Sequence, residues 1–473
     1  MQVPIVQPAP IILKHSGAFE DLFDNRKQIR HFQNYLTGLI ILENKSMANI
    51  SRCILDSADK TNISRFFSET PWLEEAVNTR RIQYMIEQTE GKRLKGEKSC
   101  LIIDDTLCEH VGSLFEYVDQ HYDHCENRYP LAHNLVTSHY ISGAVRFPLD
   151  ARLYRRYEEI TEWEKFVEKH FPDRVIPSGK KERAKFHSEV DSILLKDPEF
   201  EKLNGMFKTK IALATELIEQ AIARKIPFQT VLIDSWFLSP ELVSVLERYH
   251  KDWVSLLKKN RNLETHSFTL YDEQGEVIPL KGPHIQVEKL VSLIPKSAYK
   301  KVTVKEKDYY CFTLSLQVPS LGKVRIVISF DNPQLKDTYA VLITNRTDWT
   351  AKQIIESYLQ RWPIETFYQD GKGHLGLDAY RMRTAEAIQK HWCLVFVAYS
   401  WLHLECLPPA SIEEKGKLPS RPIQTIGEVC RQQGQALIEA LIISTHNLLQ
   451  QGQSLSEVFS MLFAKHQPGI ATS

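Results

Sequence analysis

Leu101-Ile-Ile-Asp104-Asp105-Thr106 and Val231-Leu-Ile-Asp234-Ser235-Trp236 are each a short apolar run that stops abruptly at aspartate. Apolar residues at consecutive positions over so few residues read as a strand buried on both faces, which predicts an α/β fold. In such folds carboxylates leave the sheet at the carboxyl ends of the strands, where ligands bind. A strand ending in Asp is common to many α/β proteins, nucleotide-binding ones included. The phosphate-cradling pattern G-x-x-x-x-G-K-[ST] of a nucleotide hydrolase is absent from the chain, which removes the main support for that class.

Further along, Tyr358-Leu-Gln-Arg361-Trp-Pro-Ile-Glu365-Thr-Phe-Tyr-Gln-Asp-Gly-Lys372 sets four chemically active side chains at offsets of three, four and seven residues. On one continuous α-helix Tyr358, Arg361, Glu365 and Lys372 would fall within an arc of roughly 60°. That mixture suits a phosphodiester: the carboxylate can hold a divalent metal, while Arg and Lys hold phosphate oxygens. The plain alternative is a solvated, salt-bridged helix face. Pro363 removes a backbone hydrogen bond and clashes with the preceding turn, so a kink is expected at Trp362-Pro363, with Glu365 near the start of the second helical part.

Together with the two strand-end aspartates, Tyr-x2-Arg-x3-Glu-x6-Lys resembles bacterial insertion-sequence transposases of the DDE class, in the group with the YREK signature. The signature matches without a gap, and Asp-Asp-Thr, Asp-Ser-Trp and Arg-Trp-Pro-Ile-Glu surround the three carboxylates in a similar way. The resemblance runs from about Ser46 to Trp401. It implies a cut-and-paste enzyme whose Asp104, Asp234 and Glu365 hold two Mg2+ ions, with Mn2+ as a substitute. It also implies DNA contacts from Tyr358, Arg361 and Lys372, the double-stranded partners being transposon inverted-repeat ends and target DNA. Asp104 is the first ligand by the family's Asp-x-Thr pattern and by strand alternation, which sends neighbours to opposite faces; Asp105 stands as the alternative. With one site per chain and two ends per element, a homodimer on DNA is expected. The competing class is a transposase-derived DNA-binding protein with a degraded site, acting as a repressor or structural partner. All three carboxylates and the whole signature favour the enzyme.

The order of elements fits. After the Asp104 strand, 134–142 and 144–150 alternate around Gly143 as a hairpin. A charge-dense stretch over 158–202 follows, then a helix over 207–223, the Asp234 strand, a helix over 240–249 and a strand over 253–258. This order resembles the RNase H-like fold and puts Asp104 and Asp234 on neighbouring strands. The 130 residues between Asp234 and Glu365 are too many for a loop, and 266–271, 309–316, 323–330 and 339–344 read as strands. The expected organisation is an α/β, RNase H-like catalytic core interrupted by a β-rich insertion, with helical N- and C-terminal regions. Its parts are 1–96 (helical, separate from the core, binding transposon ends), 97–262 (first part of the core), 263–348 (insertion), 349–405 (the Glu365 part of the core) and 406–473 (helical, with amphipathic helices over 423–463). In the first part, helices over 25–42 and 73–88 carry Arg26, Lys27, Arg30, Arg80 and Arg81 as candidates for DNA phosphates. In the insertion, Lys300, Lys301, Lys305 and Lys307 either face DNA or protect an edge strand.

With 473 residues, 43% of them hydrophobic, the chain can bury a sizeable core across several domains. Formal net charge is zero, so any grip on nucleic acid rests on local basic patches. Eight cysteines without C-x-x-C pairs and no signal-like opening point to a reducing bacterial cytoplasm, beside the nucleoid. No apolar run is long enough for a membrane span; 393–402 reads as a buried helix. Cys108, His110, His121, His124, Cys125, His133 and His139 are zinc-capable residue types, but their spacing matches no zinc motif and their aromatic neighbours favour packing.

Overall fold

The computed structural model describes residues 3–55, 59–94, 99–336, 338–408 and 424–463. Six strands of the core are β1 (Ser99–Glu109), β2 (Asp119–Gln120), β3 (Leu131–Ser142), β4 (Val145–Tyr154), β5 (Thr230–Ile233) and β6 (Asp252–Leu256). β1, β5 and β6 are parallel neighbours, while β3 pairs antiparallel with both β1 and β4. The resulting order β4-β3-β1-β5-β6 is the RNase H-like arrangement expected from the element order. Gly143, with φ of 66°, turns β3 into β4. Alternate residues of the strands supply two cores on the two faces of the sheet: Cys100, Ile102 and Leu232 on one, Leu101, Ile103, Val231 and Ile233 on the other.

The long stretch before Glu365 adds β7 (Asn262–Glu264), β8 (His284–Gln286), β9 (Lys300–Val304), β10 (Lys307–Val318), β11 (Gly322–Phe330) and β12 (Tyr339–Thr344). β7 and β8 form a small ladder of their own. The last four continue the catalytic sheet, because β12 pairs antiparallel with β6 and the order runs on β6-β12-β11-β10-β9. The strand expected over 266–271 does not form. Thr265–Ser267 is a short 3-10 turn, and Tyr271 makes only an isolated bridge to Val277. The Ser267 hydroxyl donates to Glu264 O and accepts from Gln317 N, so a side chain takes up hydrogen bonds a ladder would have used.

The N-terminal helices form where expected. Asn25 caps Arg26–Ile41 by accepting from Lys27 N and Gln28 N, and Glu74–Gln88 begins after Leu73 with Glu74 and Glu75 in its first turn. They do not stand apart from the rest of the chain. Phe32, Tyr35, Phe66 and Trp72 share one continuous core with Ala385–Cys406, a helix buried on nearly every side. Arg81 cannot face DNA: it is fully buried, donating to Asn78 Oδ1, Pro148 O, Leu149 O and Ser400 Oγ. Arg80 is held by both oxygens of Asp21.

The charge-dense stretch after β4 folds into helices Tyr157–Ile160, Trp163–His170, Lys180–Leu194 and Pro198–Met206 around a core of their own, built on Trp163, Phe166, Val167, Phe186, Val190, Leu194 and Phe200. The next helix, Lys210–Ala223, is capped by Thr209 and leads into β5. At the C-terminal end, Ile426–Gln450 and Leu455–Phe463 are helical. The 96/97 boundary and the parts of 406–473 at 409–423 and 464–473 lie outside the described residues. Among the described residues no helix is long and apolar enough to cross a membrane.

Candidate active site

Strand register brings the two aspartates together. Ile102 of β1 and Leu232 of β5 are partners, so Asp104 and Asp234, each two residues further on, emerge side by side at the carboxyl ends of parallel neighbours. Both continue the series Cys100, Ile102 and Leu232, which packs toward the helix-bearing face containing Ile364 and Phe367. Asp105 points to the other face, where its Oδ2 accepts from Lys210 Nζ at 2.8 Å. Lys210 lies over the rings of Tyr154 and Trp236, each at 5.2 Å.

The Tyr358–Lys372 segment is broken as Pro363 requires. A helix over Ala351–Tyr358 tightens into a 3-10 turn at Leu359–Arg361 and restarts at Pro363–Leu375, with Pro363 in the first position and Glu365 in the first turn. The break leaves the four groups in unequal roles. The Arg361 guanidinium bridges two carboxylates, donating to Asp104 Oδ2 and, at 2.9 Å, to Glu365 Oε1. Tyr358 lies beside Arg361, and burial pushes its hydroxyl up from the ordinary tyrosine range. Lys372 reaches back to β1 and donates to Leu107 O at 2.7 Å, which ties the helix to the strand.

Asp104 has an exposed fraction of only 13%. Burial, reinforced by the charges of Asp105, Asp234 and Glu365, pushes its carboxyl up to about 7 even with Arg361 beside it. Asp234 is held differently: its Oδ1 accepts from Trp236 N at 2.8 Å and Phe237 N at 3.0 Å, and its backbone carbonyl accepts from Ser255 Oγ. That turn leaves Oδ2 outside the loop contacts and sets the Trp236 ring, 42% exposed, at the rim. Beneath Asp104, Thr137 Oγ1 lies 2.6 Å from Tyr368 Oη.

The donor set is all oxygen, which suits a hard divalent cation. Among the described residues no three His, Cys, Asp or Glu side chains close around one point; the cation between Asp104 and Glu365 is Arg361. The Cys/His stretch after β1 does not converge either. Cys108 and His139 are buried in packing, His133 bonds to Tyr380 Oη and Glu116 O, and His110 stacks on Phe115. Lys210, Thr137, Tyr368 and Ser255 escaped the sequence reading because each acts through a fold contact that no spacing encodes.

The profile of the DDE superfamily endonuclease family matches residues 18–284, more than half of the chain and a span containing both aspartates. The chain belongs to this family. The profile of the transposase DDE domain matches residues 208–401, which contain Asp234 and Glu365. The chain is also similar to the probable transposase for insertion sequence element IS701 of Microchaete diplosiphon, at 22% identity over 268 residues. That match covers 55% of this chain and 58% of the relative, so the chain spans little more than half of the curated relative's length.

Proposed function

We propose that this DDE superfamily member is an insertion-sequence transposase of the YREK group, which cuts transposon ends and joins them to target DNA at Asp104, Asp234 and Glu365. The observation that carries this reading is that Asp104 and Asp234 leave neighbouring parallel strand ends on the face covered by the Glu365 helix, where Arg361 links Asp104 to Glu365. Two Mg2+ ions held by these carboxylates would activate the attacking hydroxyl or water and stabilise the leaving oxygen, with Mn2+ as a substitute.

The chain's own residues do the rest. Asp234, with Oδ1 committed to its turn, offers Oδ2 to the pocket. Arg361 has a planar fork suited to two phosphate oxygens and now spends it on Asp104 and Glu365. Its move onto a DNA phosphate would free both carboxylates. Lys372 fixes the Glu365 helix against β1, so its contribution to phosphate binding is indirect. Tyr358 orients Arg361 and lines the strand's path.

A homodimer on DNA supplies one site for each transposon end. Ile438, Ile442 and Leu449 are exposed on one stripe of Ile426–Gln450, and Leu455, Phe459 and Met461 are exposed on the following helix, an apolar surface that supports contact with a second copy. The reading is tested with Asp104→Asn, Asp234→Asn and Glu365→Gln in purified protein. Each is expected to abolish Mg2+-dependent nicking of a duplex carrying the gene-flanking inverted repeat while leaving its binding intact. Near wild-type cleavage by any one of them removes that residue from the site.

A further inference from the structure

β9 is the outer strand of the sheet and, among the described residues, pairs only with β10. Register fixes where their hairpin stands relative to the catalytic carboxylates. Leu256 lies two residues beyond Val254, the partner of Leu232, and so stands level with Asp104 and Asp234. From Leu256 the same level runs sideways through Leu342 and Val327 to Thr313 on β10. β10 then extends from Thr313 back to Lys307, six residues past that level at the end of the sheet where the carboxylates leave it. At ~3.4 Å per residue that overhang is roughly 20 Å, and five strand spacings set it roughly 24 Å to the side of β1. The tip of the hairpin thus stands roughly 30 Å from Asp104, about nine base pairs of duplex.

The hairpin also faces the right way. Lys300, Val302 and Val304 share a face with Lys307, Tyr309 and Cys311, and Val304 and Cys311 belong to the core containing Ile102, Ile354 and Ile364. This is the sheet face on which Asp104 lies, and the turn carrying Arg361 packs over it. Lys300, Lys305 and Lys307 are exposed, and among the described residues none is paired with a carboxylate; Lys301, on the opposite face, is neutralised by Asp308 at 2.7 Å. The turn is a second, independent sign. Lys305 and Glu306 have φ of 46° and 68°, left-handed positions that Asn and Gly fill without strain in two-residue hairpin turns. A lysine kept in a strained position at a loop tip is a pointer to function.

We propose that the β9–β10 hairpin is an arm that grips the phosphate backbone of duplex DNA about nine base pairs from the bond to be cut, through Lys300, Lys305 and Lys307. The inference rests on the transposase reading of the carboxylate site. The duplex gripped is either the transposon end or the DNA flanking it, and the position of the contact relative to the cut distinguishes the two.

The test uses the full chain and a 60-base-pair duplex centred on the junction between the gene-flanking inverted repeat and its neighbouring DNA. Lys300→Gln/Lys305→Asn/Lys307→Gln removes three charges and gives the turn a residue it prefers, so folding is not impaired. Lys323→Gln, at the opposite end of β11, is the control. The slope of log affinity against log salt is expected to fall by about 2.7 in the triple variant, for three phosphate contacts, and to stay constant in the control. Hydroxyl-radical protection about nine base pairs from the cut should disappear in the triple variant, on the repeat side if the arm holds the end and on the outer side if it holds the flank. An unchanged slope and footprint would overturn the arm, and increased self-association beside them would leave the lysines as guards of an edge strand. If wild-type protein binds no duplex, the transposase reading fails and the arm with it.

Discussion

Asp104→Asn should make the metal-free protein more stable while destroying its cleavage activity. Asp104 is nearly buried, and its carboxyl is pushed up to about 7 by burial and by Asp105, Asp234 and Glu365. An unfolded aspartate titrates near 4. Below pH ~4 the proton is present in both states and the raised value costs nothing. Between pH ~4 and 7 the unfolded chain sheds the proton while the folded chain keeps it, so stability falls by about 1.4 kcal/mol per pH unit, and above pH ~7 the loss is complete at about 4 kcal/mol. The Arg361 contact is already contained in that balance, and Asn can still accept from the guanidinium. The variant should therefore match wild type below pH ~4, lead it by about 1.4 kcal/mol at pH 5 and gain up to about 4 kcal/mol by pH 8.5. Urea unfolding in the presence of a chelator at pH 5, 7 and 8.5 measures it, and added Mg2+ should stabilise only wild type. Equal midpoints at pH 8.5, or the same gap at pH 5, would refute the placing of Asp104 among competing carboxylates.

Asp105→Asn, which breaks the Lys210 pair on the opposite face, should keep Mg2+-dependent cleavage within about tenfold of wild type, a cost of up to ~1.4 kcal/mol in the transition state; complete loss would make Asp105 a ligand. Lys372→Met should lower cleavage and cost about 1 kcal/mol in stability through the lost Leu107 contact, with the salt slope of DNA binding unchanged; a slope lower by about one contact would mean the lysine leaves Leu107 for a phosphate. Arg81→Met strands Asn78 and three further acceptors, and should destabilise by about 3–5 kcal/mol in a thermal melt without changing the salt slope of the folded fraction.

What could be read in advance was what local chemistry dictates. Apolar runs ending in Asp gave the parallel strands, and alternation put Asp104 and Asp105 on opposite faces. Pro363 announced the break before Glu365. Tertiary competition stayed hidden. Arg80 and Arg81 are adjacent charges on one helix, yet one pairs with Asp21 at the surface and the other is buried beneath β4. Lys372 keeps signature spacing but is bonded to a strand carbonyl. That β12 would dock on β6, and so extend the catalytic sheet, depends on two partners far apart in sequence and carries no local sign.

The sharing of one core between the N-terminal helices and Ala385–Cys406 has a consequence for biosynthesis. The segment ending at Gln88 leaves the ribosome some 300 residues before the helix that covers Phe32, Phe66 and Trp72, a delay of roughly 15–60 s at ordinary elongation rates. Through that interval its aromatic rings have one another, Phe23 with Phe32 and Phe66 with Trp72, but lack the Ala385–Cys406 helix that completes their core. A released fragment of the first hundred residues should bind chaperones or aggregate, so the ordering of the N-terminal helices reports that translation has passed Cys406.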